Sequence, residues 1–117
     1  MVKAYLSHVT YHVYILTNQH NTVLYTGMTN NLEQRVYDHK VKRNKGFTYK
    51  YNCDKLVYFE EFATPMKAIK REKQLKKYLR AWKDDLITKM NPDWKDLSEG
   101  WYHSENIELG KQVYKSK

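Results

Sequence analysis

The chain has 117 residues, enough for one domain with a modest core and too few for two. Its 21 Lys and Arg residues against 13 Asp and Glu give a formal net charge of +8, which favours a polyanionic partner. The single cysteine, Cys53, excludes an intramolecular disulfide, a zinc knuckle and a Cys-x-x-Cys redox motif. No apolar run is long enough for a signal-peptide core or a membrane span. We therefore expect a soluble, basic domain of the cytoplasm.

The first part of the chain predicts a β-hairpin. Tyr11–Thr17 and Thr22–Gly27 are short runs rich in β-branched and aromatic residues, and the turn-prone tetrad NQHN lies between them. A turn centred on the middle of that tetrad places Tyr14 opposite Tyr25. Directly opposed residues project from one face of a sheet, so the two phenols are expected side by side. A one-residue change in register would separate them.

A helix, a loop and a third strand follow the hairpin. Asn30 or Asn31 is a good N-cap residue, and the sequence LEQRVYDHKVKR after it predicts a helix. On that helix Arg35 and His39, four residues apart, share a face. The next segment, NKGFTYKYNCD, is interpreted as a basic, aromatic-rich loop, and KLVYFEEF as a strand.

Two further helices are predicted, and the end of the chain lacks a pattern. Thr64 followed by Pro65 is a helix-start signal, and a second helix covers Arg80 to Met90. Residues 1–100 are interpreted as a single domain and 101–117 as a C-terminal tail, loose or partly docked. The order β-β-α-β-α-α predicts an α/β (α+β) fold, a small, mainly antiparallel three-stranded sheet flanked by helices.

Glu72 interrupts the apolar stripe of the helix that begins at Pro65. At about 100° per residue, this carboxylate falls among the apolar positions, which are Ala68, Ile69, Leu75 and Leu79. Burying an unpaired carboxylate is unfavourable. Glu72 therefore either pairs with a basic group such as Arg35 for packing alone, or it is a ligand for a divalent metal such as Mg²⁺.

Taken in order, these residues resemble the GIY-YIG nuclease superfamily. Val13–Ile15 stands where that family has its first tripeptide, and Tyr25–Gly27 where it has its second. The resemblance covers about residues 10–97 and is closest to a small, stand-alone bacterial branch, similar to the catalytic module of the UvrC excinuclease subunit. Val13 replaces the leading glycine of the motif. Met28 stands where some relatives carry a lysine, which leaves Lys42 or Arg43 as candidates for a second cationic helper.

The resemblance implies a set of catalytic residues, which are Tyr14, Tyr25, Arg35, His39, Glu72 and Asn91. It assigns a motif tyrosine as general base, with nearby cations favouring phenolate; Tyr14 is the base or base partner and Tyr25 positions water or phosphate, and these two roles could be exchanged. Arg35 contacts the scissile phosphate, Glu72 holds one Mg²⁺ or Mn²⁺ ion, and His39 shuttles a proton or binds phosphate. Asn91 helps to order the site, or it is only a helix stop.

The basic loop and the helix of Glu72 supply the candidates for nucleic-acid contact, which are Lys42, Arg43, Lys45, Tyr49, Lys50 and Lys73. The alternative is an ordinary solvated charged surface, but the aromatics within the loop, which are Phe47, Tyr49 and Tyr51, favour stacking or backbone contact.

The sequence thus predicts a metal-dependent endonuclease that hydrolyses DNA, with a role in repair or recombination. RNA is the alternative substrate, and specificity has to come from the surface, an oligomer or a protein partner. A non-catalytic nucleic-acid-binding module on the same fold is the second hypothesis, and an interaction protein that is merely kept soluble by its charge is the third.

Overall fold

The computed structural model describes residues 9–115 and contains, within them, a three-stranded sheet and five helices. The strands are β1 (Tyr11–Thr17), β2 (Leu24–Thr29) and β3 (Lys55–Phe62). The helices are α1 (Leu32–Lys40), α2 (Phe47–Tyr51), α3 (Pro65–Lys77), α4 (Arg80–Met90) and α5 (Ser104–Lys115). The strand order is β2-β1-β3 with both neighbouring pairs antiparallel, which confirms the predicted fold class. None of these described helices is long and apolar enough to cross a bilayer.

The central strand β1 separates two apolar clusters. Its residues from Val13 to Thr17 are all buried, because the sheet is covered on both faces. Val13 and Ile15 project to the face on which α3 and α4 pack. Tyr14 and Leu16 project to the other face, where Leu32 and Val36 of α1 cover them. Alternation along this strand therefore decides which side chains face the candidate site.

The register of the β1–β2 hairpin differs from the predicted one. Tyr14 pairs with Gly27, and Tyr25 pairs with Leu16, so the prediction that the two tyrosines lie directly opposite each other is wrong. The shift is two residues along the strand. Since side chains alternate with a period of two, both phenols nevertheless stay on the same face of the sheet.

The cause of the shift lies in the turn between these strands. The side-chain oxygen of Asn18 accepts hydrogen bonds from the backbone N–H groups of Thr22 and Val23, at 2.8 and 3.1 Å. Asn21 takes a left-handed conformation with φ of 60°, which asparagine tolerates well. Together they move the centre of the turn one residue toward the C-terminus.

Two boundaries differ in the segment after the first helix. The helix ends at Lys40 rather than at Arg43, and Lys42 has a left-handed φ of 63°. The segment predicted as a loop contains the short helix α2, which ends where Asn52 takes a left-handed φ of 56°. Five residues give too short a window for helical periodicity to be recognised, so the sequence provided no signal for α2.

The C-terminal segment, for which the sequence showed no periodicity, forms α5. Gly110 is buried against the end of α1, where an added Cβ would lie 2.5 Å from Cγ1 of Val41. The Tyr37 hydroxyl donates a hydrogen bond of 2.9 Å to the carbonyl oxygen of Asn106. The glycine is needed for this close approach, which docks α5 along α1.

The apolar stripe of α3 is narrower than predicted. Ala68 and Leu75 are buried, but Ile69 and Leu79 are 40% and 62% exposed. Glu72 consequently lies at the flank of the stripe. Its side chain is 20% exposed, and it forms a 3.3 Å ion pair with Lys76, one helical turn further on.

Candidate active site

Tyr14 lies at the centre of the sheet and is fully buried. Its ring crosses the neighbouring strand at Gly27, where an added Cβ would lie 2.6 Å from both Cζ and the phenol oxygen of Tyr14. Gly27 lies inside β2, so it does not serve to turn the chain. Its role is to leave room for the phenol.

Tyr14, Tyr25 and His39 form an aromatic cluster beside α1. The ring centroids of Tyr14 and Tyr25 are 6.3 Å apart, and His39 lies 6.1 Å from the first and 5.8 Å from the second. The helix is fixed at its start by Asn31, whose side chain accepts a hydrogen bond from the backbone N–H of Gln34 at 3.1 Å. These contacts bring together three of the predicted catalytic residues.

The imidazole of His39 connects the buried phenol to α2. Its Nε2 atom is 3.3 Å from the Tyr14 hydroxyl, and its Nδ1 atom is 2.9 Å from the hydroxyl of Thr48. Thr48 is buried within a helix of five residues and was not among the predicted site residues. No spacing or motif in the sequence could have identified it, because its role depends on the packing of α2 against α1.

Burial sets the protonation of this cluster. It lowers the pKa of His39 to about 4, with the nearby Arg35 guanidinium as the next cause. Burial also raises the pKa of Tyr14 above its ordinary value, and the neighbouring Tyr25 adds to this effect, whereas Arg35 opposes it. The Arg35 cation favours the phenolate of Tyr14, as expected, but the larger effect of burial on the pKa outweighs it. At neutral pH both groups are uncharged.

Arg35 and Glu72, which belong to two different helices, both affect the pKa of Tyr14. The Arg35 guanidinium lowers the pKa of Tyr14 through its charge and a hydrogen bond, although less than burial raises it. The Glu72 carboxylate also acts on Tyr14, and it raises the same pKa. One cation and one anion thus act on the buried phenol in opposite directions.

Asn91 occupies a different part of the structure. It is the C-cap of α4, and its side-chain NH₂ donates hydrogen bonds to the carbonyl oxygens of Val57 and Lys95 at 3.1 and 2.8 Å. Its side-chain oxygen accepts from the Lys95 N–H at 3.1 Å. All these partners are backbone groups, which favours the interpretation of Asn91 as a helix stop. A role in ordering the site stays a prediction.

Lys42 and Arg43, the candidates for a second cationic helper, are engaged elsewhere. Lys42 forms a 3.2 Å ion pair with Asp54, and Arg43 a 3.4 Å ion pair with Asp38. Met28 packs against the apolar cluster of Val13 and Ile15, on the face of the sheet away from the phenols. Met28 carries no charge, and the two candidate cations are ion-paired elsewhere. None of these three residues therefore supplies an unpaired cation beside Tyr14.

The remaining nucleic-acid candidates surround α2, apart from Lys73, which is exposed on α3. The Lys45 ammonium lies 4.2 Å from the centre of the Tyr49 ring, and that of Lys50 lies 5.3 Å from the centre of the Tyr51 ring. Both rings are exposed. The surface near the cluster is accordingly both cationic and aromatic.

An aromatic series joins this surface to the cluster. The exposed ring of Phe47 is 6.0 Å from that of Tyr25 and 4.7 Å from that of Tyr51. The short helix α2 therefore contributes Phe47 to the surface and Thr48 to the interior.

Several relatives align with this chain over almost the whole of their own length. A UPF0213 protein of Clostridium perfringens is 38% identical over 94 residues, which are 80% of this chain and 95% of that protein. UPF0213 proteins of Syntrophus aciditrophicus and Natronomonas pharaonis are 41% and 35% identical, over 70% and 66% of this chain and 93% and 89% of theirs. These names state no activity.

Among solved structures, the solution NMR structure of the UPF0213 protein from Bacillus halodurans aligns with this chain at a TM-score of 0.49 and 22% sequence identity. The alignment covers 78% of this chain and 97% of that protein. Residues 10–85, more than half of the chain, match the model of the GIY-YIG catalytic domain. The chain therefore belongs to the GIY-YIG catalytic domain family.

Proposed function

We propose that this protein is a metal-dependent endonuclease that hydrolyses DNA phosphodiester bonds. The observation that carries the proposal is the packing of Tyr14, Tyr25 and His39 with ring centroids about 6 Å apart, flanked by Arg35 and Glu72. Membership of the GIY-YIG family supports nuclease chemistry and a nucleic-acid substrate. Cleavage of DNA rather than RNA, and a role in repair or recombination, are parts of the proposal.

The residues present fit one divalent ion. No group of three or more His, Cys, Asp or Glu side chains suited to a metal occurs among residues 9–115. Mg²⁺ and Mn²⁺ accept one or two protein carboxylates, with water and substrate phosphate as further ligands. Glu72 provides such a carboxylate, since it is partly exposed and paired only at 3.3 Å with the half-exposed Lys76. When bound there, the ion stabilises negative charge on the departing 3′ oxygen.

Arg35 is suited to hold the scissile phosphate. Its guanidinium is planar and always charged, and it can donate two parallel hydrogen bonds to phosphate oxygens. It is partly exposed, and its charge already acts on Tyr14. A phosphate held by Arg35 would be bound by the same cation that acts on Tyr14, and this positive charge favours the negative charge that increases during hydrolysis.

Burial distinguishes the two phenols that the sequence left exchangeable. Tyr14 is fully buried, whereas Tyr25 is partly exposed, so we assign contact with water and phosphate to Tyr25. Tyr14 is the base partner. In the tautomer that donates from Nδ1 to Thr48, neutral His39 accepts a hydrogen bond from the Tyr14 hydroxyl at Nε2. The imidazole stays neutral at rest because of its lowered pKa, and we assign to it only the transient uptake of the phenol proton during the reaction.

A non-catalytic nucleic-acid-binding module is the second candidate function. Two observations favour it. The raised pKa of Tyr14, caused mainly by burial, makes this phenol a weaker source of phenolate than a free tyrosine. In addition, Lys42 and Arg43 are ion-paired rather than free to assist at the site.

A cleavage assay with a matched control separates the two functions. Supercoiled and branched DNA are incubated with the wild-type protein and Mg²⁺ or Mn²⁺, and with the variants Glu72→Gln and Glu99→Gln. Glu99 is an exposed carboxylate in the segment between α4 and α5. We expect Glu72→Gln to lose about 100-fold or more of the cleavage rate and Glu99→Gln to keep it. DNA binding without metal-dependent cleavage by any of the three proteins would instead identify a binding module.

A further inference from the structure

A basic groove lies on the outer side of α3. It has a volume of about 560 Å³ and is lined by Phe62 at the end of β3 and by cationic side chains of the helix. These cations are Lys67, Lys70, Arg71, Lys73 and Lys77. Among the predicted nucleic-acid residues, only Lys73 belongs to this set.

Four of these cations form a regular, exposed row. At about 100° per residue, the four lysines fall within an arc of about 120° on the side of α3 opposite to Ala68 and Leu75. With a rise of about 1.5 Å per residue, the row is about 15 Å long and its steps are about 4.5 to 6 Å. We call it the lysine row of α3: Lys67, Lys70, Lys73 and Lys77.

The charges of the lysine row are not neutralised by neighbouring carboxylates. Within residues 9–115 no ion pair involves any of its four members, all of which are exposed. Arg71 differs, because Glu60 binds its guanidinium through two nitrogens at 3.0 Å. Near α2, Lys42 and Arg43 are also paired with carboxylates. The row therefore presents four exposed positive charges that no carboxylate of the described residues neutralises.

The groove is separate from the candidate active site. Arg71 and Glu72 are consecutive residues and lie about 100° apart on α3, on either side of its buried stripe. Arg71 is bound to Glu60 on β3, whereas Glu72 acts on Tyr14. Since β3 and β2 are opposite edges of the sheet, the groove opens on the side of α3 away from the phenols.

We propose that the lysine row of α3 is a second nucleic-acid site that binds a phosphate backbone outside the catalytic cluster. One strand of a duplex advances about 3.4 Å per phosphate, so 15 Å corresponds to roughly four phosphates for four lysines. Lysine suits this role as a point charge that needs no fixed orientation. The proposal rests on the nucleic-acid substrate of the proposed function, and it extends that contact beyond the cleavage site.

The test measures binding separately from cleavage. The full chain carrying Glu72→Gln is kept in EDTA, and its affinity for a short labelled DNA duplex is measured across roughly 50–200 mM salt. In that background the four lysines of the row are changed to glutamine. A matched control changes four exposed lysines elsewhere, which are Lys89, Lys95, Lys111 and Lys115.

Replacement of the row should reduce the slope of log affinity against log salt by about three to four, close to 0.9 per lost phosphate contact. The control variant removes the same charge and should change the slope by less than one. Equal losses in the two variants would overturn the proposal, as would equally tight binding of poly-L-glutamate in competition with the duplex, which would indicate an acidic protein partner. Absence of cleavage by the wild-type protein would refute the proposed nuclease and leave this difference in slopes intact.

Discussion

Acid should destabilise this protein through His39 before most carboxylates are protonated. The imidazole is buried, and burial together with Arg35 lowers its pKa from 6.5 to about 4. Asp38 and Asp54 oppose this shift, and Lys42 adds to it. Between pH 6.5 and 4 the imidazole of His39 binds a proton in the unfolded chain but not in the folded protein. Stability is therefore unaffected above pH 6.5, falls as the pH decreases from 6.5 to 4, and does not fall further from this cause below pH 4.

The magnitude follows from the shift. A pKa that is lower by about 2.5 corresponds to roughly 3 kcal/mol once the pH is below both values. Between pH 7 and pH 5 the loss is about 2 kcal/mol. Solvent screening does not reduce this figure greatly, because only 9% of His39 is exposed.

The assay is urea unfolding of three proteins at pH 7 and pH 5. Wild type and His103→Gln, whose histidine is on the surface, should each lose about 2 kcal/mol more than His39→Gln. Burial raises the pKa of Asp96, but hydrogen bonds from Lys40 and Ser98 lower it overall, so this residue also contributes to acid sensitivity. Comparison with His39→Gln removes that shared contribution. Equal losses of unfolding free energy in all three proteins would contradict the explanation that burial keeps the imidazole of His39 neutral in the folded protein.

Two further predictions concern the surroundings of Tyr14. Gly27→Ala places a Cβ 2.6 Å from the phenol, so urea unfolding should show a loss of about 1–3 kcal/mol. In a Tyr14→Leu background the same change should cause a clearly smaller loss, since only the Tyr25 ring, 3.0 Å from the added Cβ, then opposes it; an undiminished loss would contradict the steric explanation. Thr48→Val removes the hydroxyl at His39 Nδ1, so it should lower stability by about 1–3 kcal/mol and lower kcat without raising KM. Thr48→Ser should restore both quantities, and failure to do so would show that the hydroxyl is not what orients His39.

Much of the fold could be predicted because it depends on local pattern. The strands Tyr11–Thr17 and Lys55–Phe62 and the helix Arg80–Met90 have the predicted bounds, since alternation, helix periodicity and a following Asn-Pro are readable in the sequence. The hairpin register was wrong, because the side chain of Asn18 organises the turn through two backbone N–H groups. A residue pattern identifies a turn, but it does not state where its centre lies.

The candidate site was predictable to a different extent. Two residues that lie on one face of a sheet remain on that face after a two-residue shift in register. The proximity of Tyr14 and Tyr25 was therefore predicted correctly, although their pairing was not. The effect of Arg35 on the pKa of Tyr14 has the predicted direction, but the opposing effect of burial was not predicted. Sequence reveals the neighbouring cations but not the complete burial of the phenol, and burial has the larger effect on its pKa.

The segment that the sequence left without structure completes the site. Helix α2 places the Thr48 hydroxyl 2.9 Å from Nδ1 of His39, and in the preceding position it places the Phe47 ring 6.0 Å from Tyr25. Its exposed side carries Tyr49 and Lys50, two of the predicted nucleic-acid residues. Because one turn of helix contacts both the imidazole and the partly exposed phenol, we expect any displacement of α2 to change both contacts together. The proposed nucleic-acid surface and the proposed proton transfer at Tyr14 are for that reason parts of one structural unit.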